Sequence, residues 1–98
     1  RVLPPKVTEM VTFFVMCYTY ILYSKTADRF YIGSTCGDLY ERIRKHNSNH
    51  KGYTGKVNDW ELMHHEAFQD VSSARKREMQ IKGWKSRKMI EALVNKNQ

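Results

Sequence analysis

The sequence is poor in cysteine, proline and acid, and it lacks any long unbroken apolar run. Two cysteines in 98 residues, Cys17 and Cys36, are too few for a disulfide framework and have no CxxC spacing. They are read as ordinary thiols of a reduced, cytoplasmic protein. The longest apolar stretch, Met10–Tyr23 (MVTFFVMCYTYILY), covers 14 residues, whereas a membrane helix needs roughly 20. It has no small-residue cleavage site, which also argues against a signal peptide. No Gly-rich phosphate loop, Ser/His/Asp arrangement or redox pair is present. His64 and His65 are adjacent, so on a strand they point to opposite faces and make a poor zinc pair. At 98 residues the chain fits one domain and excludes a multidomain enzyme.

What is present is positive charge. Seventeen Lys+Arg face ten Asp+Glu, a formal net charge of +7, which calls for a polyanionic partner. The charge is unevenly placed: zero over residues 1–41, +5 over 42–58, −4 over 59–70 and +6 over 71–98. Arg44, Lys45, Lys51, Lys56, Lys82 and Lys85 are the candidate phosphate contacts. Tyr53 and Trp84 lie in basic segments, where each could stack on a base or sugar or equally be a core or rim aromatic.

Residues 1–9, with Pro4 and Pro5, read as an irregular lead-in. Residues 1–15 form an N-terminal extension, and residues 16–98 form the domain. The chain opens on Arg, and Met16 stands just ahead of the first strand as an alternative start. Residues 18–23 and 30–32 are rich in β-formers around the short polar Ser24–Arg29, a hairpin signal, with Gly33 closing the second strand. Asp38 and Glu41 make a capping box for a helix to about Asn47. Residues 47–56 are a loop, and Trp60–Phe68 reads as a third strand. Ser72 caps a second helix ending at Gly83, and Ser86 caps a third to about Val94. The expected fold is α+β, a three-stranded antiparallel sheet flanked by helices in the order β-β-α-β-α-α.

Two pairings of residues carry chemical interest. At 100° per residue, Val71, Ala74, Glu78 and Ile81 fall within about 80° of one another. This puts a carboxylate on the face turned to the sheet. Such a group must be paired with a cation or hydroxyl, or must bind a metal; periodicity leaves both open. Arg42 and His46 stand four apart on the first helix and project side by side. They are either a surface pair or a grip on a phosphate.

The hairpin then supplies a resemblance. Tyr18-Thr19-Tyr20, ten residues, and Tyr31-Ile32-Gly33 resemble the two-strand signature of the GIY-YIG nuclease superfamily, with Tyr18 and Thr19 standing where the signature has Gly and Ile. Asp38-Leu39, Arg42, His46-Asn47, Tyr53-Thr54, Trp60-Glu61-Leu62 and Arg77-Glu78 follow in the family's order. The chain looks like its small single-domain bacterial branch, related to the N-terminal nuclease domain found in the bacterial excision nuclease. The resemblance implies a metal-dependent endonuclease acting on nucleic acid, DNA in the first instance. Tyr31 or Tyr20 would take a proton from water, its pKa of ~10 lowered by nearby cations. It further implies that Arg42 stabilises the phosphate charge, His46 assists the tyrosines, and Glu78 holds one Mg²⁺ or Mn²⁺. Members often carry an Asn about a dozen residues after that Glu; here Asn95 and Asn97 are the nearest substitutes. The alternative is a noncatalytic nucleic-acid-binding module with the same fold. A protein partner for targeting is a further expectation.

Overall fold

The computed structural model describes residues 15–48 and 52–96. Of the N-terminal extension only residue 15 is among them, and the lead-in, Lys51 and Asn97 lie outside the described residues. Three strands, β1 (Cys17–Ser24), β2 (Arg29–Cys36) and β3 (Trp60–Phe68), form one antiparallel sheet in the order β2-β1-β3. Helix α1 (Leu39–His46) follows β2, and a 3₁₀ turn (Tyr53–Lys56) precedes β3. Helices α2 (Val71–Gly83) and α3 (Arg87–Lys96) end the described chain. The order β-β-α-β-α-α is the one expected.

The central strand explains the apolar stretch in the sequence. β1 is covered on both faces, so successive residues are both apolar instead of alternating with polar ones. Tyr20 and Leu22 pack with Leu39 and Trp60 on the α1 side. Ile21 packs with Ile32, Ile81 and Val94 on the side of α2 and α3. Tyr20, Ile21 and Leu22 are all fully buried. Fully burying a Leu or Ile side chain contributes about 1.5–3 kcal/mol, so this short strand anchors two cores at once.

Polar side chains fix the elements onto the sheet. The buried Thr19 hydroxyl donates to the Ala74 carbonyl of α2 at 2.6 Å. The Asn47 amide accepts from the Trp60 N–H at 2.7 Å and donates to the Trp60 carbonyl at 3.1 Å, imitating a strand partner at the start of β3. Asp59, just before β3, braces the β1–β2 turn, accepting from Ser24 Oγ at 2.6 Å and from the Thr26 N–H and hydroxyl at 2.9 Å. Arg77 grips Glu66 of β3 with two nitrogens, at 2.9 and 3.1 Å.

Several local expectations are corrected. β2 does not end at Gly33 but continues to Cys36, because Ser34 and Thr35 keep pairing with Thr19 and Tyr18. Asp70, not Ser72, caps α2: it is extended (φ −143°) and accepts from the Ser73 N–H at 2.7 Å. Asp38 does cap α1, accepting from the Glu41 N–H, but the Glu41 carboxylate turns forward onto Arg44 instead of back to the cap. Ser86 caps α3 as expected, and α3 reaches Lys96. Val71 is exposed, so the inward stripe of α2 begins at Ala74.

Cys17 and Cys36 are not the two free thiols expected from the sequence. The hairpin register sets them directly opposite each other, Cα atoms 3.9 Å apart, and they are joined as a disulfide. The pairing depends on β2 running past Gly33, which brings Cys36 into register with the first residue of β1. No helix among the described residues is long and apolar enough to cross a membrane.

Candidate active site

The site is built on the edge strand. Tyr20 pairs with Gly33 across β1 and β2, and Leu22 pairs with Tyr31. Side chains two apart on a strand share a face, so Tyr31 and position 33 both look toward α1. A Cβ on Gly33 would stand 2.7 Å from Tyr20 Oη and 2.9 Å from Tyr31 Cε2. Only a residue without a side chain lets the two phenols converge over it. That is a physical reason for glycine in the second half of the signature.

α1 supplies the next groups. The Asp38 cap sets the helix start, and Leu39 and Ile43, one turn apart, pack on the core. His46 is thereby buried, with its Nε2 2.8 Å from Tyr20 Oη and its Nδ1 2.8 Å from Thr54 Oγ1. Thr54 is itself held by its carbonyl, which accepts from the Trp60 indole N–H at 2.9 Å. The Tyr31 ring lies against the His46 imidazole, centroids 4.8 Å apart. Thr54, His46, Tyr20 and Tyr31 thus form one connected cluster. Arg42, one turn before His46, is exposed and turned into the cleft.

α2 completes the site from the far side of the edge strand. Glu78 is only 18% exposed. Its Oε1 accepts from Ser34 Oγ of β2 at 2.6 Å, and its Oε2 is 2.6 Å from the Lys82 ammonium. Both options left open by periodicity therefore bear on one residue. Glu78 is paired, yet Lys82 is half exposed and the carboxylate borders a cleft.

Two adjoining clefts result. One, of about 430 Å³, is lined by Tyr31, Arg42, Lys45, His46, Ser48, Gly52 and Thr54. The other, of about 350 Å³, is lined by Tyr31, Gly33, Ser34, Arg42, Arg75, Glu78 and Met79. Tyr31 and Arg42 are common to both. So Tyr31, Arg42 and Glu78, from three different elements, meet at the edge of β2.

The electrostatics bear on Tyr20. Burial pushes its hydroxyl above the ordinary value, and Arg42, which pulls it down, does not compensate; Tyr31 and Glu78 push it further up. The expectation that cations lower this phenol is corrected, because the desolvation of a fully buried group outweighs a guanidinium that stands in solvent. Tyr20 remains a neutral phenol at neutral pH, with its hydroxyl bonded to His46 and the Arg42 guanidinium beside it.

The other expected contacts are scattered. Lys45 lines the first cleft, and Lys56 lies further along the same side. Arg44 is occupied by Glu41, and Lys82 by Glu78. Lys85 is on the turn between α2 and α3, with φ +50°, beside Asp28 and Arg87. Asn95 is exposed on α3, outside the clefts. Tyr53 is the first residue of the 3₁₀ turn.

Three further residues join the site without having been given a role from the sequence. Arg75 stands one turn before Glu78 on α2, an i, i+3 spacing that would have flagged it. Ser34 follows Gly33 directly and, being one residue on, points to the opposite face, toward α2. Thr54 figures in the sequence only as the neighbour of Tyr53 in the family's order. Its bond to His46, eight residues earlier, depends on how the 3₁₀ turn is set against α1.

The profile of the GIY-YIG catalytic domain matches residues 16–91, more than three-quarters of the chain, and the chain belongs to this family of endonucleases. No curated protein and no solved structure shows a significant match to it.

Proposed function

We propose that this GIY-YIG protein is an endonuclease that hydrolyses phosphodiester bonds of DNA with the help of a divalent ion. The observation that carries the proposal is the meeting of Tyr31, Arg42 and Glu78 at the edge of β2, a base, a phosphate clamp and a hard oxygen donor in adjoining clefts.

Tyr31 is the phenol that lines both clefts, so it orients the attacking water and, once ionised to the phenolate, accepts the proton and becomes a neutral phenol as water attacks phosphorus. Tyr20, neutral and fully buried, is a positioning residue. Through His46 and Thr54 it fixes the imidazole against which the Tyr31 ring rests. Arg42 presents a fork of N–H donors to the non-bridging oxygens and offsets the charge that builds there in the transition state. Lys45 adds a second cation to the same wall.

Among the described residues no cluster of three or more acidic, His or Cys side chains exists. The donor set of Glu78 nonetheless fits Mg²⁺ or Mn²⁺, since Mg²⁺ keeps several waters and takes one or two carboxylates plus substrate phosphate oxygens. Glu78 would hold the ion, with Lys82 displaced into solvent. When bound, such an ion supplies Lewis-acid stabilisation of the leaving 3′-oxygen.

The deciding experiment is a cleavage assay on a panel of DNA and RNA substrates with Mg²⁺ or Mn²⁺, with Glu78→Ala alongside. Cleavage of DNA that needs the ion and disappears in Glu78→Ala, with DNA binding retained, is the expected result. Tight binding by the unaltered chain without any ion-dependent cleavage would instead identify a binding module.

A further inference from the structure

The clefts of the described residues run into one another. The Glu78 cleft shares Tyr31 and Arg42 with the His46 cleft. The His46 cleft shares Ser48 with a third, of about 400 Å³, whose lining includes Asn47, Lys56 and Asn58. Together they make a groove crossing the edge strand from α2 to the loop before β3. Its described lining holds four cations, Arg75, Arg42, Lys45 and Lys56, against a single carboxylate, Glu78. The +7 of the chain does not require this. Other cations are engaged away from the groove, Arg44 with Glu41, Arg77 with Glu66 and Arg87 with Asp28.

The geometry points to a nucleic-acid track in which Arg75 and Lys56 grip backbone phosphates on opposite sides of the phosphate that is cut. Arg42 and Tyr31 lie in the middle of the groove, at the point shared by its first two clefts. Arg75 is at the α2 end and Lys56 at the other. Arg75 is on α2 and Lys56 on the 3₁₀ turn before β3, so the two stations come from separate elements. The groove extends through two clefts on the Lys56 side of Tyr31 and through one on the Arg75 side, so the footprint on the substrate is asymmetric. Met79, 71% exposed in the Arg75 cleft, gives that end an apolar surface suited to a sugar or base edge. This assignment rests on the nuclease reading above and names two residues that reading does not use.

The test is fluorescence-anisotropy binding of the full chain to labelled DNA in EDTA over a salt series, for Arg75→Gln, Lys56→Gln and the control Lys88→Gln, which is exposed on α3 outside the groove. Each groove substitution should weaken binding and flatten the log–log salt slope by about 0.7–0.9, the loss of one phosphate contact. Lys88→Gln should leave it unchanged. Trimming the DNA on one side of the cut site should abolish the effect of Arg75→Gln only, and trimming the other side that of Lys56→Gln only. Slopes indistinguishable from Lys88→Gln, or both effects lost on trimming the same side, would overturn the track while leaving the nuclease reading in place. Failure of the unaltered chain to bind or cut DNA at low salt would overturn both.

Discussion

A Cβ on Gly33 would lie 2.7 Å from the hydroxyl oxygen of Tyr20. Backbone and phenol are thus fitted against each other with no room for a methyl group. Gly33→Ala should lose about 1–3 kcal/mol of stability, the usual cost of overpacking. It should also lose activity out of proportion, because Tyr31 is crowded by the same atom. Adding Tyr20→Phe, which removes the hydroxyl, should recover part of the stability. Urea unfolding of the single and double variants checks this, and strictly additive losses would contradict it.

The two tyrosines should differ in kind. Tyr31→Phe should lower kcat by about 10²–10⁴, the range for a lost general base. Tyr20→Phe should cost roughly fivefold, the equivalent of one ordinary hydrogen bond near 1 kcal/mol. Single-turnover cleavage at saturating enzyme measures both. Comparable losses for the two variants would remove the distinction between base and positioning residue.

The raised Tyr20 also has a pH signature. Below about pH 10 folded and unfolded chains both keep this proton, and stability does not depend on it. Above that, the unfolded chain ionises first while the folded one holds the proton, so stability falls as pH rises. Tyr20→Phe should flatten this alkaline decline. Unfolding midpoints between about pH 8 and 11, bracketing the ordinary phenol pKa, provide the readout.

On the acid side, the relevant group is Glu66. Burial would raise its carboxyl, but Arg77 and His64 outweigh burial and hold it below its ordinary value of 4.5. Its contribution is complete above that value and is lost as pH falls through the lower folded one. Glu66→Gln should be less stable at neutral pH and should show a shallower decline between about pH 5 and 3. An unchanged acid slope would show that the ion pair carries no linkage.

Reduction should matter as well. The Cys17–Cys36 bridge closes a loop with a sequence separation of 19, for which loop entropy gives about 3 kcal/mol. Dithiothreitol should lower the unfolding midpoint of the unaltered chain and leave that of the Cys17→Ser/Cys36→Ser variant unmoved.

The elements were largely legible because their signals are local. Asp38 and Ser86 cap the helices they precede, and the β-rich runs around Ser24–Arg29 form the hairpin. Local rules failed where two residues competed for one role, as when Asp70 displaced Ser72 as the α2 cap. They failed again where a partner lay far along the chain. The inward place of Glu78 could be read from helical periodicity, but its pairing with Ser34, 44 residues away on β2, could not be told apart from a metal.

The sequence by itself determined the order of elements, the paired tyrosines and the carboxylate on the inner side of α2, since period and capping depend on neighbours a few residues away. Only the tertiary structure decided which tyrosine is buried, that Cys17 meets Cys36, and that Thr54, Ser34 and Arg75 join the site. The strand register and the fold of α1 and α2 over opposite faces of one sheet set those relations. The sparse cysteine that suggested two unrelated thiols is in fact a matched pair at the end of the hairpin that carries the site.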